Sequence, residues 1–187
     1  MESVNRFGPE LILLAAAGLI VLADAAFPQV GERAKAKGMA VVGLALAGAA
    51  ASIAWSALLI VFDEQGEAFN GMMTVDEFAL FFNFLFAGIA VIVVLASVDF
   101  VRRSRFQAEY FALVLASTAG MMLLASTIDL IAIFVALELQ AISLYVLVAF
   151  LKDGRSSEAA LKYLLLGAIS TAVTLYGMAY LFGLSGS

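Results

Sequence analysis

Of the 187 residues, 64% are apolar and only 13% are charged, with a mean hydropathy of +1.07. Soluble domains carry about 25% charged residues, so this is a membrane composition and not a large soluble core. The absence of cysteine and histidine removes disulfides, iron–sulfur ligation and the usual haem and transition-metal sites. A net charge of -5, with the few basic residues spread along the chain, argues against nucleic acid as a partner.

A helix that crosses a bilayer needs about 20 mostly apolar residues. Six such blocks follow one another, at Leu11–Phe27, Met39–Phe62, Phe78–Val98, Tyr110–Ser126, Leu130–Leu151 and Ala159–Leu181. Backbone polar groups in hydrocarbon must be paired within the segment, so these blocks predict helices. The fold class is therefore all-α membrane protein with six spans. Pro9 precedes the first block, where its missing N–H costs nothing, and Pro28 ends it. Ala23-Asp24-Ala25 resembles a signal-peptidase site. The nearly neutral MESVNR start and the three basic residues after the block favour a retained helix instead. The second loop has a strand-like look, with Phe69, Met72, Met73 and Val75 around Gly71, and predicts a small external hairpin. Asp129 suits the start of the fifth span, and Ser156 and Glu158 suit the start of the sixth.

The loops set the orientation. Loop one carries Arg33, Lys35 and Lys37, loop three carries Arg102, Arg103 and Arg105, and loop five carries Lys152 and Arg155. Loop two, from Asp63 to Glu77, has five acids and no basic residue, and loop four has only Asp129. Eight of the ten basic residues thus fall in alternate loops, which the positive-inside rule places in the cytoplasm. Both ends are then expected on the non-cytoplasmic side. Arg6 and Lys162 are the remaining two.

Two ionisable residues fall inside spans. Glu138 stands near mid-membrane, where a charge must face protein or water and not lipid. Burial would suit it to taking up and releasing a proton. The plainer alternative is a protonated carboxyl that only hydrogen-bonds two helices together. Lys162 lies about one turn into the last span, close enough for its ammonium to snorkel to the interface. Glu138 is about 20 Å from the cytoplasmic end of its helix and Lys162 about 7 Å, at ~1.5 Å per residue. The offset, on the order of 13 Å, forbids direct contact, so Glu138 is expected to need a partner from elsewhere. Asp24, Asp99 and Glu109 read as interfacial or capping acids, and Asn83 as an interhelical hydrogen bond. The small residues of the second span (Gly43, Ala45, Gly48, Ala49, Ala51, Ser52) and of the sixth (Gly167, Ala168, Ser170, Thr171, Ala172) predict close helix packing.

The stretch DLIAIFVALELQAISLYVLVAFLKDGRSSEAALKYLLLGAIST, Asp129 to Thr171, closely resembles the antiporter-like subunit N of proton-pumping NADH:quinone oxidoreductase, respiratory complex I. The Asp-Leu opening, the Leu-Glu pair, the Tyr-x-Leu-x-Ala-Phe run and Ser-x-Glu-Ala-x-x-Lys-Tyr before Leu-Gly-Ala carry the likeness. FNGMMTVDEFALFF, from loop two into the third span, adds to it. Gln140 departs from it, because the family more often has an apolar residue there.

The resemblance implies a subunit of about fourteen helices, with helices four to eight forming a first proton-transfer unit. It puts the family's helix-five glutamate on Glu138 and its helix-six lysine on Lys162. The family's later lysines have no counterpart, so the chain corresponds to the N-terminal two-fifths of that subunit. Residues 1–108 would hold spans one to three and the external loop near 63–77. Residues 109–187 would hold spans four to six, the start of the proton-transfer unit. No cofactor is expected on this chain, with NADH, FMN, iron–sulfur clusters and quinone on partner subunits. Its partners would be other membrane-arm subunits and the lipid of a bacterial plasma membrane. A subunit of a multisubunit cation/proton antiporter or membrane-bound hydrogenase, and a purely structural membrane subunit, are the alternatives.

Overall fold

The structure, a computed structural model, describes residues 2–26, 33–102, 104 and 106–186, the side chains of Glu2 and of residues 33–37 excepted. Its elements in chain order are α1 (Glu2–Arg6), α2 (Gly8–Ala26), α3 (Arg33–Val61), β1 (Gly66–Ala68), β2 (Met73–Val75), α4 (Glu77–Val101), α5 (Gln107–Ser126), α6 (Leu130–Val148) and α7 (Gly154–Ser185). Among the described residues six helices are long and apolar enough to cross a membrane: Gly8–Ala26, Gly38–Val61, Glu77–Val101, Gln107–Ser126, Leu130–Val148 and Gly154–Ser185. Each overlaps one of the six expected spans, with different ends. Large apolar side chains such as Leu22, Ile92, Leu166 and Tyr176 point outward, each about two-thirds exposed or more. A hydrocarbon surround suits that surface.

Helix α5 is the centre of the bundle and packs against α2, α3, α4 and α6. Its buried face includes Ala108, Phe111, Ala112, Leu115, Ala119 and Met122. Lipid is as apolar as this core, so association rests on close van der Waals contact and not on area removed from water. Small residues supply the contact. A Cβ on Gly48 would lie 2.5 Å from Ala16 Cβ, and one on Gly120 would lie 2.8 Å from the backbone nitrogen of Gln140. The packing expected of the second span therefore holds at Gly48, Ala45, Ala49 and Ser52, but Ala51 is exposed and Gly43 has open space. It fails for most of the sixth span. No residue of α7 is buried, and α6 is its one substantial neighbour among the described residues.

Helix ends differ from expectation for local reasons. Pro9 lies inside the first turn of α2, because α1 leads straight in and Phe7 O accepts the Leu11 N–H at 3.1 Å. Pro28 lies outside the described residues, as do Arg103 and Arg105. The last helix starts at Gly154 and not at Ala159. Its N-cap is Asp153 and not Ser156: Asp153 Oδ1 accepts the Ser156 N–H at 2.6 Å, and Ser156 Oγ returns a bond to the Asp153 N–H. The fifth span stops at Val148, and Lys152 adopts a left-handed φ of 54° in the turn that follows. Asp129 caps α6 as expected, accepting from Ile131 N and Ala132 N.

The second loop forms the expected hairpin, with Gly66 opposite Val75 and Ala68 opposite Met73. Phe69, Asn70 and Gly71 turn it with positive φ values. One end of the bundle gathers α1, this hairpin and the start of α6. The Arg6 guanidinium donates to the carbonyls of Glu64 and Glu67, Ser3 Oγ accepts the Phe69 N–H, and Phe7 and Phe69 meet edge to face. On the other side Met72 O accepts from Ile128 N and Asp129 N. The opposite end brings loops three and five together, with Lys152 Nζ 3.4 Å above the Phe106 ring.

Candidate functional site

Helices α6 and α7 are antiparallel neighbours joined by a short turn, so residues at equal chain distance from that turn face each other. Glu138 and Thr171 are equidistant from the turn between Gly154 and Arg155. The Thr171 hydroxyl accordingly donates to Glu138 Oε1 at 2.9 Å. Such a hydroxyl serves either protonation state, because it donates to a carboxylate and can donate to, or accept from, the neutral acid. The half-buried Glu138 faces a cleft of about 480 Å³ between the two helices. Gln140, Ser170 and Thr174 add polar groups to its lining, and Phe134, Leu137 and Leu166 supply apolar walls.

Two tyrosines line the cleft on the side of the α6–α7 turn. Tyr145 and Tyr163 meet edge to face, with centroids 4.9 Å apart and planes at 85°. Gly167 makes room for them, since a Cβ there would lie 1.8 Å from Tyr145 Oη.

The structure does not bring Lys162 to Glu138. Lys162 Nζ pairs with Glu158 one turn earlier at 2.5 Å, and both side chains are about two-thirds exposed. Thr171, the partner of Glu138, is nine residues beyond Lys162, about 13 Å along a helix. That agrees with the depth argument from sequence. The expectation that Glu138 must look elsewhere for a partner is corrected in part, because Thr171 supplies a neutral donor within the chain. Among the described residues no cation lies within ion-pair distance of Glu138.

Sequence reasoning missed three features. Thr171 was grouped with small packing residues, although equal spacing about the turn would have found it. Tyr145 and Gly167 both stand in the motifs that carry the resemblance, and Gly167 suits close packing, but nothing in the sequence pairs one with the other. Glu10 fell just outside the first block. It is 2% exposed, and its Oε1 accepts from Asn83 Nδ2 at 3.4 Å. This is the interhelical bond expected of Asn83, with a partner the sequence did not indicate.

A helical protein with six membrane-capable spans and a half-buried carboxyl in an inter-helix cleft belongs among polytopic membrane proteins that carry polar groups between helices. Comparison with known proteins narrows this. Residues 127–187 match the family model described as NADH:quinone oxidoreductase/Mrp antiporter, TM. The chain is 42% identical to NADH-quinone oxidoreductase subunit N of Dehalococcoides mccartyi over 185 residues, 98% of this chain and 36% of that protein. It is also 42% identical to subunit N 1 of Koribacter versatilis, over 96% of this chain and 36% of that one. A chain in a structure of respiratory complex I from Thermus thermophilus superposes with a TM-score of 0.74 at 35% identity, over 96% of this chain and 37% of that chain. The chain is thus a homologue of NADH-quinone oxidoreductase subunit N, as the motif resemblance implied, and spans about a third of the length of those relatives.

Proposed function

We propose that this chain contributes part of a proton-transfer route in a membrane subunit of proton-translocating NADH:quinone oxidoreductase, with Glu138 as the group that binds and releases the proton. The reading rests on the placement of Glu138: a carboxyl within an apolar span, hydrogen-bonded by Thr171 and facing a mainly apolar cleft to which Gln140, Ser170 and Thr174 add polar groups. Electron transfer would occur on other subunits, which hold NADH, FMN, iron–sulfur clusters and quinone. Basic loops on the cytoplasmic side, both described ends on the other side, a plasma-membrane location and a whole subunit of about fourteen helices belong to the same proposal. Lys162 would connect the cleft to the cytoplasmic side, and its charge would act on Glu138 through intervening groups and not by contact.

Replacing Glu138 in the assembled complex tests this. E138Q keeps the hydrogen bond from Thr171 and removes the titratable proton. Proton pumping should be lost while the complex still assembles. Pumping at the wild-type level would end the proposal. It would favour the structural reading, to which the Thr171 bond also gives support, since a neutral acid can fasten α6 to α7. The matched family model also covers antiporters, whereas the relatives at 42% identity carry the oxidoreductase name.

A further inference from the structure

Glu10 and Asn83 lie far along the chain from the α6–α7 cleft and play no part in the proposal above. Both are 2% exposed, and Asn83 Nδ2 donates to Glu10 Oε1 at 3.4 Å. Two buried polar atoms of the same pair are left without a partner, Glu10 Oε2 and Asn83 Oδ1. An ionised carboxylate is an acceptor only. It can take the bond from Asn83 Nδ2 but can offer nothing to Asn83 Oδ1. One proton on Oε2 changes this. A carboxylic acid and a carboxamide each present one donor and one acceptor on adjacent atoms, so the acid O–H can bond Asn83 Oδ1 while the amide N–H bonds Oε1. Both orphaned atoms are then satisfied by each other.

The electrostatic setting agrees. Arg6, one turn before Glu10, is engaged by the carbonyls of Glu64 and Glu67. Helix α3 brings Ser52 and Trp55 to this end, bonded to the carbonyls of Pro9 and Asn5, and both are neutral. Asp76 and Glu77 at the start of α4 are exposed, and the one charged residue of α5, Glu109, is in its first turn at the opposite end. The N-terminal end of α2 would favour an anion. However, α1 leads into it, and the Phe7 and Leu11 N–H groups are already taken by the carbonyls of Ser3 and Phe7, which leaves the Glu10 N–H beside its own carboxyl as a single neutral donor and not a cation. A buried carboxylate with no cation is costly, and a neutral acid with two hydrogen bonds is not.

We infer that Glu10 is a proton-binding site that stays loaded in the folded protein, held as the neutral acid in a reciprocal pair with Asn83 that ties the first span to the third. Infrared difference spectra of the full chain in liposomes at neutral pH, wild type against E10Q, read the protonation state directly. A protonated-carboxyl stretch should vanish in E10Q, and in N83A it should move to higher frequency as its hydrogen bonds are lost. Stability gives a second reading. Glutamine has the same donor–acceptor arrangement as the neutral acid, so E10Q should melt close to wild type, and E10A should melt lower by on the order of 5 °C. Loss of carboxylate bands in place of the acid band would overturn the inference. So would an E10Q protein that melts as low as E10A or fails to accumulate.

Discussion

Lys162 and Glu138 differ most in what their replacement would disturb. The Lys162–Glu158 pair is an exposed i,i+4 contact, worth about 0.3–0.5 kcal/mol. K162A should leave melting almost unchanged, so any fall in proton pumping by the assembled complex would reflect the charge and not the fold. Unchanged pumping would return Lys162 to a snorkelling role. Asp153 offers a pH test outside the spans. The N–H and hydroxyl of Ser156 hold its carboxyl below the ordinary 3.8. A depressed acid lends its stabilisation in full above the unfolded value and loses it as pH falls through the folded one. The start of α7 should therefore keep its amide-exchange protection at neutral pH and fray only in acid below 3.8. D153A should show that fraying at neutral pH. The separation of Glu138 from Lys162 was legible from helical rise, because an offset along two antiparallel helices follows from counting residues. Glu10 was not, because one polar residue at the edge of an apolar block looks the same whether it faces water or Asn83.

At the scale of elements, helix contacts depend on where a methyl group can fit. A Cβ on Gly120 would lie 2.8 Å from Gln140 N and 3.1 Å from Ala136 O. Those are backbone atoms that cannot swing away, so G120A should push α6 off α5 and cost about 1–3 kcal/mol. Gly88, in the middle of α4, has nothing within 4 Å of such a Cβ. G88A should be neutral or gain up to about 1 kcal/mol from helix propensity. Thermal unfolding in detergent, both variants side by side, checks the pair. Similar losses at both sites would mean that α5 and α6 do not meet this closely. All six spans could be read from hydropathy, since crossing lipid demands continuous apolar length. Their ends could not, because caps are set by single side chains: Asp153 displaced Ser156 by offering its oxygen one turn earlier. Of the small residues expected to pack in α7, Gly167 and Thr171 are met by α6, and Ala168, Ser170 and Ala172 are exposed. Composition says that a helix can be approached closely, and only a neighbour decides whether it is.

Among the described residues, polar contacts tie the hairpin end of the molecule, and at the other end Phe100, Tyr110 and Phe150 stack together near Lys152 over Phe106. Arg6 joins α1 to the hairpin through two carbonyls. R6A should free the hairpin, and limited proteolysis should then cut near Phe69–Gly71 faster than in wild type while the spans stay protected. Equal cutting rates would show that the guanidinium does not hold the loop. The hairpin also has a consequence in time. Its first strand and tip bind residues that precede it by about sixty positions, and Met72 receives the N–H groups of Ile128 and Asp129, which follow by nearly as many. Domains generally form from the N-terminus as the chain emerges. The hairpin can therefore close on α1 before α6 exists, and α6 arrives to find its docking carbonyl already fixed. Order of synthesis then sets the order of assembly, and the helix that carries Glu138 is seated against a finished template.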